Sequence, residues 1–81
     1  GTTVEWTNKD GASHDVTSDT FTEQGSEWDY YSGSLGNGAV TSYTFTEAGA
    51  YEYYCSIHGA ASMCGVVIVG DASHDATLPC E

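Results

Sequence analysis

At 81 residues the chain holds one domain at most. A domain of that size buries only roughly 60% of the surface its unfolded form exposes, so a bound metal or a disulfide would help it. Hydrophobic residues at 40% and aromatics at 12% supply a core and exclude disorder. Twelve Asp and Glu against the single Lys9 give a formal net charge of -11, which excludes nucleic acid as a partner, because phosphate binding needs clustered Lys and Arg.

Taken in order, the chain reads as strands at Thr3 to Thr7, Asp15 to Thr20, Val40 to Thr46, Ala50 to Ser56 and Gly65 to Val69. β-Branched and aromatic residues recur at period two in these stretches, and helical periodicity is absent. Turns fall at Asn8 to Gly11, Gly33 to Gly38 and Glu47 to Gly49, each rich in Gly, Asn or Asp, or both. Alternation is clearest at Tyr43 and Phe45 and again at Tyr51, Tyr53 and Cys55, with Thr44, Thr46 and Glu52 expected on the opposite, polar face. Short strands at this spacing predict an all-β sandwich or barrel. Between the second and third strands, Trp28, Tyr30 and Tyr31 are expected to pack a loop onto the core.

The acids are spread from Glu5 and Asp10 through Asp29 and Glu52 to Asp71 and Glu81, the pattern of a solvated shell. Such a shell repels itself at low salt and is screened at about 1 M, where the Debye length falls to about 3 Å. This fits a halophilic source; an acidic docking face in an ordinary organism is the rival. No apolar run approaches the length of about 20 residues a membrane helix needs, and no signal pattern is visible. The chain is expected to be a mature soluble piece, any signal or lipid anchor having been removed or lying outside it.

The segment that carries chemistry is Cys55-Ser56-Ile57-His58-Gly59-Ala60-Ala61-Ser62-Met63, a C-x2-H-x4-M string between two strands. Thiolate, imidazole and thioether are the donors of copper electron-transfer sites, in which two His and one Cys form a trigonal set and a Met lies far out on the axis. The second imidazole is expected from His14, which follows the Asn8 to Gly11 turn. Taken singly, each of these residues has an ordinary reading: Cys55 as core, His14 as surface, Met63 as packing. Their order and spacing together point to one copper. With every protein ligand position filled, none is left open as in a catalytic metal site. A carrier is therefore expected, not an enzyme. An enzyme with a second, catalytic copper would need further histidines, and only His74 is to spare; its place in the polar tail predicts solvent exposure.

From Tyr43 to Val69 the chain resembles plastocyanins and their haloarchaeal relatives, the halocyanins. The run from Thr46 through Glu52-Tyr53-Tyr54-Cys55 and His58-Gly59-Ala60-Ala61-Ser62-Met63 to Val69 is similar to the family's C-terminal hairpin and copper loop. Upstream, Gly1-Thr2-Thr3-Val4-Glu5-Trp6-Thr7-Asn8 followed by His14-Asp15-Val16 resembles the strand and turn that deliver the first histidine. The resemblance implies a cupredoxin-like Greek-key β-sandwich with one type 1 copper on His14, Cys55, His58 and Met63. It further implies His58 as the electron port beside Gly59, Ala60 and Ala61, with Tyr54 marking a second route. Redox proteins, such as membrane electron-transfer complexes or oxidases, would be the partners.

Three departures from the family stand out. Asp15 occupies the place where the family has an Asn that ties the two ligand-bearing segments together; a carboxylate there should lower the potential. Ile57 replaces a Pro. The family's first N-terminal strand or strands have no counterpart before Gly1, so either this is a piece of a longer chain or another segment fills that edge.

The expected division is a copper-binding domain at 1–69 and a tail at 70–81. Once Cys55 is set aside as a ligand, Cys64 and Cys80 are left, 16 positions apart. A disulfide between them would tie the tail back, contribute about 3 kcal/mol and fit an extracytoplasmic, secreted or surface-anchored setting. Pairing between chains and free thiols are the alternatives. A different function class also stands open. An unpaired sheet edge could accept a strand from another copy, making the chain a structural or assembly subunit in which copper is secondary.

Overall fold

The computed structural model describes residues 1–81 and contains strands without a helix: β1 (Thr2–Thr7), β2 (Thr17–Ser18), β3 (Val40–Phe45), β4 (Gly49–Tyr54) and β5 (Cys64–Val69). β1 and β3 form one antiparallel sheet, in register from Thr2 opposite Phe45 to Thr7 opposite Val40. The other sheet has the order β2-β4-β5, also antiparallel. This is the all-β, cupredoxin-like sandwich expected.

Period-two alternation aims Val4 and Trp6 of β1 and Tyr43 and Phe45 of β3 inward, where they meet Tyr51 and Val67 of the second sheet. Phe45, Tyr51 and Val69 are the buried centre. The loop between β2 and β3 inserts Trp28 against Tyr43, Phe45 and Tyr51, with ring centroids 5.2, 5.1 and 5.9 Å away. Its indole N–H donates to the Glu52 carbonyl at 2.8 Å. Trp28 thus serves as core, as expected; truncation to Ala would cost about 3–5 kcal/mol. Tyr30 stacks between Trp6 and Trp28, whereas Tyr31 faces solvent.

The expected strand Asp15 to Thr20 shrinks to Thr17–Ser18 as a paired element of this sheet. Side chains compete for the backbone at both ends: the Asp15 carboxylate takes the Ser56 N–H at 2.7 Å, and beyond Asp19, whose N–H still donates to the Glu52 carbonyl at 3.2 Å, the Asp19 carboxylate takes the Thr20 N–H at 2.7 Å. The preceding residues are still held from the other side. His14 and Leu35 exchange both backbone bonds at 3.0 and 2.7 Å, Ser32 N–H donates to Val16 and Ser18 N–H to Tyr30.

Two expectations fail on the outer face of β4. Glu52 does lie opposite Tyr51 and Tyr53, but it is 0% exposed. Its carboxylate accepts from Phe21 N–H at 2.6 Å, Thr22 N–H at 3.1 Å, Thr22 Oγ1 at 2.5 Å and His74 Nε2 at 2.7 Å. Burial by itself pushes the Glu52 carboxyl up; these bonds outweigh it and hold the group below the ordinary range. His74, expected in solvent, has a side chain only 3% exposed. Both corrections share one cause: the loop around Thr22 and the tail close over this face. Gln24 bonds Asp75, and Leu78 is buried. Gly25 is required here, because a Cβ would collide with the Glu52 carboxylate. Asp15 is buried too, so the acidic shell is not wholly solvated.

The tail adds no strand to either sheet. It is tied to the base of β5 by a Cys64–Cys80 disulfide, the within-chain pairing among the three alternatives.

Candidate metal centre

The proposed ligands come from two places. The first is the turn from Asn8 to His14. Asn8 is buried, and its side-chain N–H groups donate to the Ala12 and Leu35 carbonyls at 2.9 and 2.8 Å while its oxygen accepts the Asp10 N–H at 2.8 Å. A single amide therefore fixes the turn, and the reciprocal His14–Leu35 bridge fixes the residue that leaves it.

The second is the loop joining β4 to β5. The Cys55 N–H donates to the Met63 carbonyl at 3.0 Å, closing the loop at its neck. Inside, Gly59 N–H donates to Cys55 at 2.8 Å, and the Ser62 and Met63 N–H groups both donate to Gly59 at 3.1 Å. Gly59 has φ +91°, a conformation L side chains rarely adopt, so the tight loop needs glycine at this point.

These two segments bring His14, Cys55 and His58 together, with one donor atom of each inside 4.8 Å of the others. Cys55 is buried, His14 half-buried and His58 exposed. Nδ1 of His14 lies 3.7 Å from the Cys55 sulfur. With bonds of about 2.0 Å to nitrogen and 2.3 Å to sulfur, a nitrogen and a sulfur sharing one ion at a trigonal angle lie roughly 3.7 Å apart. The spacing therefore fits a shared metal ion. Nε2 of His58 sits 3.1 Å from the Ser13 carbonyl, an acceptor, so that nitrogen carries the hydrogen and Nδ1 is left with its lone pair. Met63 is 40% exposed and borders, with His14 and Cys55, a cavity of about 400 Å3 also lined by Trp6, Val16 and Leu35.

The electrostatics favour a thiolate. Burial alone would raise the Cys55 thiol; the backbone N–H groups of Asp15, His58 and Ile57, with the neighbouring His14 imidazole, outweigh it and lower it. His14 is raised, first by Asp10, whose carboxylate lies 2.9 Å from its Nε2, and then by Cys55.

Asp15 joins the two segments. Its carboxylate accepts the Ser56 N–H at 2.7 Å, the Ser56 hydroxyl at 2.5 Å and the Thr17 hydroxyl at 3.0 Å. Burial pushes this carboxyl up, and the Ser56 and Thr17 bonds more than offset it. All three partners donate, which suits a carboxylate better than an amide and accounts for Asp at this position. Tyr54 lies on the outer face of β4, half-buried, its ring edge-on to Phe21 at 5.7 Å. Asn8 and Asp10 escaped the sequence reading as parts of the site; an Asn-x-Asp turn four residues before His14 was the available signal.

The sequence model of the copper-binding proteins of the plastocyanin/azurin family matches residues 1–70. The chain belongs to that family, the blue copper or cupredoxin proteins. No solved structure matches it.

Proposed function

We propose that the protein is a one-electron carrier holding a single type 1 copper ion on His14, Cys55, His58 and, axially, Met63. The observation that carries this reading is the His14, Cys55, His58 cluster, whose donor atoms lie within 4.8 Å of one another around an eased thiol. Copper, when bound, would supply a Cu(I)/Cu(II) couple. The chain's own part is to keep the donors still. The Asp15–Ser56 bonds lock the His14 and Cys55 segments together, the Cys55–Met63 bond holds the loop neck, and the Ser13 carbonyl orients His58. A donor set that does not rearrange keeps the barrier to electron exchange low.

His58 is the electron port. It is exposed, and its neighbours Ile57, Gly59, Ala60 and Ala61 are apolar or small, so a redox partner can approach closely. Tyr54, next to Cys55 in the chain and partly open to solvent, offers a second route. Donor and acceptor are redox proteins such as membrane complexes or oxidases. The disulfide supports an extracytoplasmic location, and the charge of -11 with one Lys supports a halophilic, halocyanin-type protein.

Adding Cu(II) to the purified protein and recording a visible spectrum tests the assignment. An intense thiolate-to-copper band that vanishes in Cys55→Ser is expected; a colourless protein, or a blue C55S variant, would sink it. One observation favours strand acceptance as a second reading: β1 pairs only with β3, leaving its other edge free. Sedimentation as a monomer at all concentrations would end that reading.

A further inference from the structure

We infer that Asp10 is a positioning residue for His14, setting which imidazole nitrogen faces the metal and how basic that nitrogen is. The inference rests on the copper-carrier reading and adds to it a residue outside the four ligands. Asp10 is four residues before His14 in the same turn. Its Oδ2 lies 2.9 Å from His14 Nε2, on the far side of the ring from the Cys55 sulfur, which is 3.7 Å from Nδ1. A carboxylate accepts, so Nε2 carries the hydrogen and Nδ1 turns its lone pair toward Cys55.

Asp10 is itself held. Its N–H is bound by the Asn8 side chain, its carbonyl accepts from Asn37 Nδ2 at 2.9 Å, and its Oδ1 receives the Ala12 N–H at 3.4 Å. The backbone of Asp10 is thus held on both sides, and its carboxylate, 64% exposed as a side chain, has one further bond, to the Ala12 N–H. The same turn also supplies the Ser13 carbonyl that holds His58. The two imidazoles are therefore oriented from one turn by different acceptors, a charged one for His14 and a neutral one for His58. A carboxylate behind a ligating imidazole raises its basicity and favours the more highly charged metal. Asp10 thereby biases the site toward Cu(II).

The test compares Asp10→Ala, which cannot accept the bond, with Asp10→Asn, which keeps an acceptor without the charge, and with Asp71→Asn as a distant exposed charge control. Nitrogen-15 spectra of the metal-free protein, at a pH where imidazole is neutral, report the His14 tautomer. Titration with Cu(II) alone reports affinity, and voltammetry the potential. D10A is expected to mix the His14 tautomers and weaken Cu(II) binding by about 10–100-fold. D10N should keep the tautomer and raise the potential, and D71N should change neither. A D10A protein that keeps the Nε2–H tautomer overturns the inference, as does Cu(II) affinity within twofold of the parent. Should the parent bind no Cu(II), the carrier reading fails, and the tautomer comparison still decides whether Asp10 positions His14.

Discussion

Asp15 accepts the backbone N–H of Ser56 at 2.7 Å, so the residue after one proposed imidazole ligand is bonded to the residue after the proposed thiolate. Asp15→Ala leaves the Ser56 N–H without that acceptor and should destabilise the metal-free protein by about 2 kcal/mol in urea titration. Asp15→Asn restores one acceptor, so it should recover part of that loss, and by removing a negative charge it should raise the potential of the copper-loaded form. An Asn variant whose potential falls would contradict the stated role of the carboxylate.

Glu52 makes stability depend on acid. Its folded-state ionisation is depressed, so its contribution is fully present above the unfolded value near 4.5 and is lost as pH falls through the lower folded value. Glu52→Gln puts an amide, half of it a donor, where a buried carboxylate accepts four hydrogen bonds, and should cost on the order of 2–3 kcal/mol at neutral pH. Its stability should fall less steeply below pH 4.5 than that of the parent. Parallel acid limbs in the two proteins would rule this account out.

Removing the disulfide with Cys64→Ser and Cys80→Ser together releases a 16-residue separation of chain. The expected loss is about 3 kcal/mol, or on the order of 10–20 °C in melting temperature for so small a domain. Calorimetry of the double variant beside the parent measures it.

Met63, 40% exposed, is a ligand by proposal and little of a core residue. Met63→Gln should therefore change stability by less than about 0.5 kcal/mol. In the copper-loaded protein a harder axial oxygen should lower the potential while the blue band persists. Loss of all visible absorption would show that the thioether does more than tune.

A net charge of -11 predicts that the melting temperature climbs as KCl rises from 0.1 to 1 M, where the Debye length shrinks from about 10 to 3 Å. A flat or falling curve would remove the support for a halophilic source.

Cys55, His58 and Met63 were legible because they share a nine-residue loop whose spacing is itself the signal. His14 was legible only beside a family pattern, since nothing local distinguishes it from a surface histidine. The Asp10–His14 bond depends on how Asn8 folds a turn, and composition does not encode that. Glu52 and His74 misled for a related reason. Alternation assigns residues to the faces of a sheet, whereas what later covers a face is decided by segments 30 and 22 positions away, Thr22 and His74. All five strands were found within two residues at each end, and only the second, expected from Asp15 to Thr20 and paired at Thr17–Ser18, was too long by two at both ends.

The closure of β4's outer face by the tail separates two boundaries that usually coincide. Family likeness stops at residue 70, yet a fragment cut there would leave a carboxylate without its imidazole, a Gln24 side chain without Asp75 and Cys64 without Cys80. The stretch that matches the family is therefore shorter than the stretch whose side chains complete the buried contacts on β4. Grafting this copper loop elsewhere, or trimming the protein for crystallisation, should respect residue 80 as the limit.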